Sequence, residues 1–462
     1  MNKQDLSSHL LLMINKKNLI FFLIFILLNN CSFDNKTRIW KGSEKEKRRV
    51  SELEKKQKEI IDVEKIYSSS ENIILKEKSL IKNIKLSQPN KNLSWEMTGL
   101  NNQNFLGNIY LTGIDNIFLK KKVGKSKFSN SKITTSLLSF ENNLIFSDDR
   151  GTIYKINESG KIKWKKNIYA KIYKKIYKNL TFSIYKNTIY VSDNVGFVYS
   201  LDFDTGEVIW IKNHGVPIKS KLKIFNDKIF LIDQDNRIFC LKTKDGSKTW
   251  DILSISSFIK SQNLLSLAVT KEGDLVAINS SADLFRINGN SGEILWAINT
   301  SRSLYADATD FFKSSDIVID NNEIIFSSGG AIYSYDLNKG SVNWENEISS
   351  INIPIINKEN IFIVSENGYF SILEKNTGKL ISTTNILKIL KKKKRETKIT
   401  GFILGSDKIY SLTSNGYLIV SSAVSGKVEY SKKIGKKITS SPIINNGTLY
   451  ILTENSKIFG FK

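Results

Sequence analysis

From about residue 95 onward, apolar and polar positions alternate in short runs separated by turn residues, a pattern that predicts a body built of β-strands. One stretch shows the plan. NTIYVSD (187–193) reads as a strand, DNVG as a turn, and FVYSLD (197–202) as a second strand with Phe197, Tyr199 and Leu201 on one face. FDTG turns again, EVIW (207–210) begins a third strand, and IKSKLKIF (218–225) reads as the strand that leads into the next unit. Asp, Asn and Thr cap their own backbone in such turns, and glycine supplies the positive φ that a tight hairpin needs.

The unit recurs. Its turn glycine returns at Gly160, Gly206, Gly246, Gly292, Gly340, Gly378 and Gly426, at intervals of 46, 40, 46, 48, 38 and 48 residues. Five of these glycines are followed four residues later by tryptophan: Trp164, Trp210, Trp250, Trp296 and Trp344. Tyr430 takes that place in the unit of Gly426, and the position is lost in GKLIS. Units of this period predict a β-propeller of four-stranded blades, with the aromatic filling space between neighbouring sheets. GTLYILTENSKIFGFK (447–462) supplies part of an eighth unit, and NIFLKKKVG (116–124) is the candidate to complete it. The expectation is an all-β, eight-bladed propeller over 95–462, closed by an N-terminal strand; seven blades is the weaker alternative. Closure removes the edges that a linear array would keep.

The first fifth of the sequence is different. NKKNLIFFLIFILLNNC (15–31) places two lysines before a ten-residue apolar core, Leu19 to Leu28, and a cysteine after it. That core falls short of the roughly 20 residues that span a bilayer and has the proportions of a signal-peptide core. The arrangement resembles a bacterial lipoprotein signal, with residues 1–30 removed and Cys31 lipidated as the mature N-terminus. Asn30 stands where that pattern places Gly, Ala or Ser, and Met13 offers a second start that makes a tighter signal. Residues 31–94 read as the lipidated N-terminus and a charged tether.

The formal charge is +24, from 69 Lys+Arg against 45 Asp+Glu. The lysines are scattered, apart from KKKKR at 391–395, which reads as a solvated loop; no nucleic-acid motif accompanies it. Beyond Cys31, the one thiol is Cys240 in the strand-like RIFCLK, read as a small buried hydrophobe. His214, in IKNHGVP, is the one histidine after residue 31, which argues against a histidine metal site or a catalytic triad. Glycines in SSGG (327–330) lack the lysine of a phosphate loop, and Asp148–Asp149 fall in a blade turn.

The pattern D/N-x-x-G, aromatic strand, T/S-G-x-x-x-W resembles the pyrroloquinoline-quinone-type propeller repeat. With the signal, the tether and the lead-in SWEMTGLNNQNFLGN (94–108), whose Trp95, Gly99, Asn104 and Gly107 match, the chain looks like a member of the BamB family of outer-membrane lipoproteins. The resemblance implies a non-catalytic scaffold of the outer-membrane β-barrel assembly (BAM) complex without cofactor. It would be lipid-anchored at the periplasmic face of the outer membrane and bind the periplasmic POTRA region of BamA, with nascent outer-membrane proteins as possible further partners. By order along the repeats it places the contact loop at GVPIK, with Val216, Ile218 and Lys219 as contacts, and Asp310 in ADATDFF as a further one. A second reading of the same residues makes Ile218 the start of a core strand and Lys219 ordinary surface. The rivals are a quinoprotein dehydrogenase, which shares the repeat but uses an adjacent cysteine pair and carboxylate ligands, and a periplasmic interaction propeller with another partner.

Overall fold

The structure is a computed structural model and describes residues 32–34, 39–41, 48, 78–79, 84–125, 137–254, 264–300, 314–394 and 397–462. Two units separate at Leu75–Lys76. In the first, Ser32–Asp34 pairs antiparallel with Ile39–Lys41. The second is an eight-bladed β-propeller. Blade 1 consists of Leu138–Phe140, Asn143–Ser147, Thr152–Asn157 and Ile162–Asn167. Blades 2 to 7 span 180–213, 223–253, 267–299, 318–346, 355–385 and 399–433. In blade 8, Ile443–Asn445, Thr448–Leu452 and Lys457–Phe461 are joined by Ile117–Lys122, which pairs antiparallel with the C-terminal strand. The ring therefore closes as the repeat predicts, and all eight blades are present.

The turns follow their side chains. In DNVG, one carboxylate oxygen of Asp193 accepts the amides of Val195, Gly196 and Phe197 at 2.8–3.0 Å. The first-to-second strand turns of blades 1, 2, 3, 7 and 8 carry consecutive positive φ values, as at Lys186 (48°) and Asn187 (57°), which matches the right-handed twist of the flanking strands. In FDTG the capping carboxylate belongs to Asp202, which accepts the Asp204 and Thr205 amides. Asp204 instead receives the Lys155 ammonium of blade 1 at 3.1 Å, so it joins two blades rather than shaping its own turn.

Each third-to-fourth strand pairing slips by one residue, as between Ser200 and Leu201 opposite Trp210 and Val208. Such a bulge re-aims the following side chain. In blades 1 to 5 that side chain is the tryptophan, and it wedges against the next blade. Trp164 Nε1 donates to Phe203 O at 3.0 Å, Trp210 to Thr243 O at 2.9 Å, Trp250 to Gly289 O at 3.2 Å, Trp296 to Leu337 O at 2.9 Å and Trp344 to Lys375 O at 2.7 Å. The ring lies on the turn glycine of that neighbour: a Cβ on Gly206 would stand 2.7 Å from Trp164, and the φ there is +71°. Glycine is thus required twice, for its backbone and for the absent side chain. In blade 6, Ser382 occupies the tryptophan position opposite Ile372, and Thr384 meets Gly426 of blade 7. The outer strand of blade 6 also takes a fifth partner, Lys78–Ser79.

The apolar core lies between successive sheets. Phe230, Cys240 and Trp250 of blade 3 pack against Leu267, Leu275 and Phe285 of blade 4. Burial pushes the Cys240 thiol up to about 11, as suits a packing residue. Of IKSKLKIF only Lys223–Phe225 is a strand, because Ile218 bridges to Asp233 and the Lys219 amide donates to Ile232 O. Lys391–Lys394 lie in the last part of a 3-10 helix, Ile386–Lys394.

Candidate functional site: the bore and its rim

The lead-in segment is the organising element of the site. Residues 87–113 run round the bore and hydrogen-bond the innermost strand of every blade, or the turn that follows it. Trp95 exchanges backbone bonds with Ser139 of blade 1, and Glu96 O accepts the Ile184 amide of blade 2 at 2.7 Å. Asn102 O accepts Val269 N of blade 4, and Gln103 O accepts Ile319 N of blade 5, at 2.8 and 3.0 Å. Ser87 is held by Asn357 of blade 6. Ile109 N donates to Leu404 O of blade 7, and Thr112 N donates to Gly447 O of blade 8.

Blade 3 is held by a lysine. Lys223 Nζ, on a fully buried side chain, donates to Thr98 O, Asn101 O and Asn104 Oδ1 at 2.8, 2.7 and 2.6 Å. The Asn104 amide nitrogen donates in turn to Leu267 O and Ile317 O. Asn104 therefore ties blades 3, 4 and 5 to the strap. Gly99 permits this, since a Cβ there would overlap the Asn104 amide oxygen. The body thus begins upstream of residue 95, because the strap's polar groups find their partners on the ring.

Burial pulls the Lys223 pKa down to about 7, while three oxygen acceptors match the three N–H groups of an ammonium and oppose that pull. A folded pKa below the unfolded value means that the unfolded chain binds more protons between the two, so stability rises with pH from about 7 upward. The buried tyrosines act in the opposite sense above pH 10, since burial raises Tyr410 to about 12. We therefore expect denaturant midpoints to rise between roughly pH 7 and 8.5. Lys223→Met should reduce that slope; an unchanged slope in the variant would refute the assignment.

The strap closes the bore and forms the floor of an axial cup of about 310 Å³. Trp95, Thr98, Gly99 and Leu106 make the floor, and Lys219, Lys221 and Asp316 stand in the wall. Lys221 and Asp316 form an ion pair, with side chains 23% and 14% exposed.

The GVPIK loop sits at the rim, between the outer strand of blade 2 and blade 3. Val216 is half-buried, and its backbone crosses Gly196 so closely that a Cβ there would be 2.9 Å from Val216 O. Ile218 is buried, in a cluster with Tyr190, Leu222 and Phe239. It offers no exposed apolar surface, because Asp193 O accepts its amide and pulls the chain inward. Lys219 is half-buried and lines the cup, where burial lowers its pKa. His214 lies on Phe239 with ring centroids 4.3 Å apart, and burial lowers its pKa too. Val216 is thus half-buried beside Gly196, Ile218 is buried, and Lys219 is half-buried in the wall of the cup. Cys31 and Asp310 lie outside the described residues. Among the described residues no group of three His, Cys, Asp or Glu side chains could hold a metal ion. Sequence reasoning missed Lys223 and Asn104 as the lock; the available signal was the alternate-residue spacing of Lys219, Lys221 and Lys223 within a predicted strand.

Comparison with known proteins follows the same architecture. The outer membrane protein assembly factor BamB of Moranella endobia is 20% identical over 291 residues, which cover 61% of this chain and 63% of that protein. The chain therefore spans less than two thirds of that relative's length. The crystal structure of BamB from Moraxella catarrhalis superposes with a TM-score of 0.60 at 13% identity, covering 74% of this chain and all of that one. The quinohemoprotein alcohol dehydrogenase from Comamonas testosteroni superposes with a TM-score of 0.61 at 9% identity, covering 80% of each chain, which shows a shared fold alone. The sequence model of the family described as outer membrane protein assembly factor BamB matches residues 149–384, just over half of the chain. The chain belongs to the BamB family.

Proposed function

We propose that this protein is a non-catalytic scaffold lipoprotein of the outer-membrane barrel-assembly machinery. The observation that carries the reading is the family match across blades 1 to 6. The protein is anchored by a lipidated Cys31 at the periplasmic face of the outer membrane. Its rim loop docks a POTRA domain of BamA, and the rigid ring biases that domain's orientation while barrel proteins are assembled. Val216 and Lys219 make the contact, and Ile218 sets the loop's height from below. Asp310 is a further contact on the same proposal. A bore closed by the protein's own strap supports a scaffold over an enzyme, because a rigid, pre-organised ring lowers the ordering cost of binding.

The test is co-purification of BamA with the full-length lipoprotein from detergent-solubilised envelopes. The double variant Val216→Asp, Lys219→Glu should lose at least about 90% of the recovered BamA, since inverting charge at an interface costs several kcal/mol. Undiminished recovery sinks the docking loop. A Cys31→Ser variant still found with the membranes after a salt wash would sink the anchor.

A further inference from the structure

Blade 1 passes to blade 2 through a turn that keeps apolar side chains in solvent. Ile172 is 78% exposed, the highest value of any large apolar side chain among the described residues, and Ile176, just past the same 3-10 turn, is 46% exposed. The turn, Lys171–Lys175, is held from beneath. The side chain of Lys178 is buried, and its ammonium donates to the carbonyls of Tyr173 and Ile176 while lying 4.9 Å from the centroid of the Tyr169 ring. Tyr169 donates to Asp193 at 2.6 Å, and Tyr173 meets Phe197 edge-on with ring centroids 5.5 Å apart. Burying an ammonium costs desolvation free energy, and here that cost goes into fixing a turn whose isoleucines stay in water. A single exposed isoleucine on a surface is ordinary; two on one pinned turn mark an interaction site.

The turn is tied to the GVPIK loop through blade 2. Asn194 donates to Tyr177 O at 3.1 Å and accepts the Asn179 amide at 2.7 Å, while Asp193 O accepts the Ile218 amide and Val216 crosses Gly196. Both connections thus rest on the four residues 193–196, and a domain seated on one lies against the other. The charge is one-sided as well. Residues 161–192 hold nine lysines and no Asp or Glu, so any counter-charge comes from outside the segment. Lys166 and Lys186 find it in Glu207 and Asp227, and Lys178 is buried. Lys171 and Lys175 are exposed and meet no carboxylate among the described residues. We propose that the Lys171–Ile176 turn is a second docking element for the domain that the GVPIK loop receives, and that it takes an apolar patch bordered by carboxylates on that domain. Ile172 and Ile176 bury against the patch, and Lys171 and Lys175 meet its acidic border. Pinning the turn beforehand lowers the ordering cost of the contact. This assignment rests on BamA docking at the GVPIK loop.

The experiment is co-purification of BamA with the full-length lipoprotein carrying Ile172→Asp. Recovery should fall at least about fivefold with the denaturant midpoint unchanged, since the side chain is exposed in the free ring and desolvated in the complex. Lys171→Glu with Lys175→Glu should lower recovery by a similar factor at low salt, and raising the salt should narrow the gap to the parent protein, because screening removes repulsion and attraction together. Full recovery by Ile172→Asp beside loss by the Val216→Asp, Lys219→Glu variant overturns the second element and leaves the docking loop standing. Full recovery by both variants overturns the docking loop and this assignment with it. Two other occupants have their own signatures. Sedimentation of the Cys31→Ser protein with vesicles of phosphatidylethanolamine and phosphatidylglycerol, lost on Ile172→Asp, assigns the turn to a lipid surface. A dimer dissociated by Ile172→Asp assigns it to a second copy of the chain. Either result overturns the proposal.

Discussion

Truncation of Asn104 to alanine is expected to lower the unfolding free energy by about 3–5 kcal/mol, because one small side chain satisfies three buried partners. Its oxygen accepts the Lys223 ammonium at 2.6 Å, and its nitrogen serves the carbonyls of Leu267 and Ile317 at 2.9 and 2.7 Å. The variant leaves all three short of a bond in a place that water does not reach. Chemical denaturation followed by circular dichroism measures the loss. Hydrogen exchange at the Val269 and Ile319 amides, which donate to Asn102 and Gln103 of the strap, should quicken with it. A loss below about 1 kcal/mol, with exchange unchanged, would mean that the strap rests on its backbone bonds alone.

The second large effect is expected at the blade interfaces. Trp250→Ala should cost about 3–5 kcal/mol, the range for emptying a large aromatic site. Trp250 is 9% exposed, donates to Gly289 O, and covers Gly292 of the next blade. Removing it leaves a cavity between two sheets that rigid ladders on either side cannot close. Ser382→Ala in blade 6, at the same place in the repeat, should change stability by less than about 1 kcal/mol, because serine carries no ring and Gly426 is covered by Thr384 and Phe370 instead. Comparable losses for the two variants would show that the tryptophan is not the wedge.

How much of this was legible in the sequence depended on the distance over which a feature acts. The blades are chains of hairpins, so their turn residues and their alternation lie within about 45 residues and can be counted directly. The Trp–Gly contact joins neighbouring units and shows as a period. The strap does not repeat. Asn108 meets Asp407 across 299 positions, and Ser87 meets Asn357 across 270, with only ordinary Asn, Ser and Asp residues to mark them. Lys223 was hidden in another way: in a chain with so many lysines, one more carried no weight until its burial was known. Ile218 follows a proline in a polar loop and reads equally well as exposed contact or as core; the hydrogen bond from its own amide to Asp193 O, and that from the Lys219 amide to Ile232 O, decide for the core.

The strap also constrains the order in which the molecule can be made. Residues 87–113 leave the ribosome before any blade, yet their last partner, Gly447, is made near the end of the chain. The strand Ile117–Lys122 likewise waits for Lys457–Phe461. No prefix of the chain can therefore reach its final arrangement, and the early segments must stay unpaired while several hundred residues are added. Contacts of such long range make folding slow and leave strand edges open to wrong pairings. The same threading that makes the finished ring rigid makes its unfinished forms dependent on protection until the C-terminus arrives.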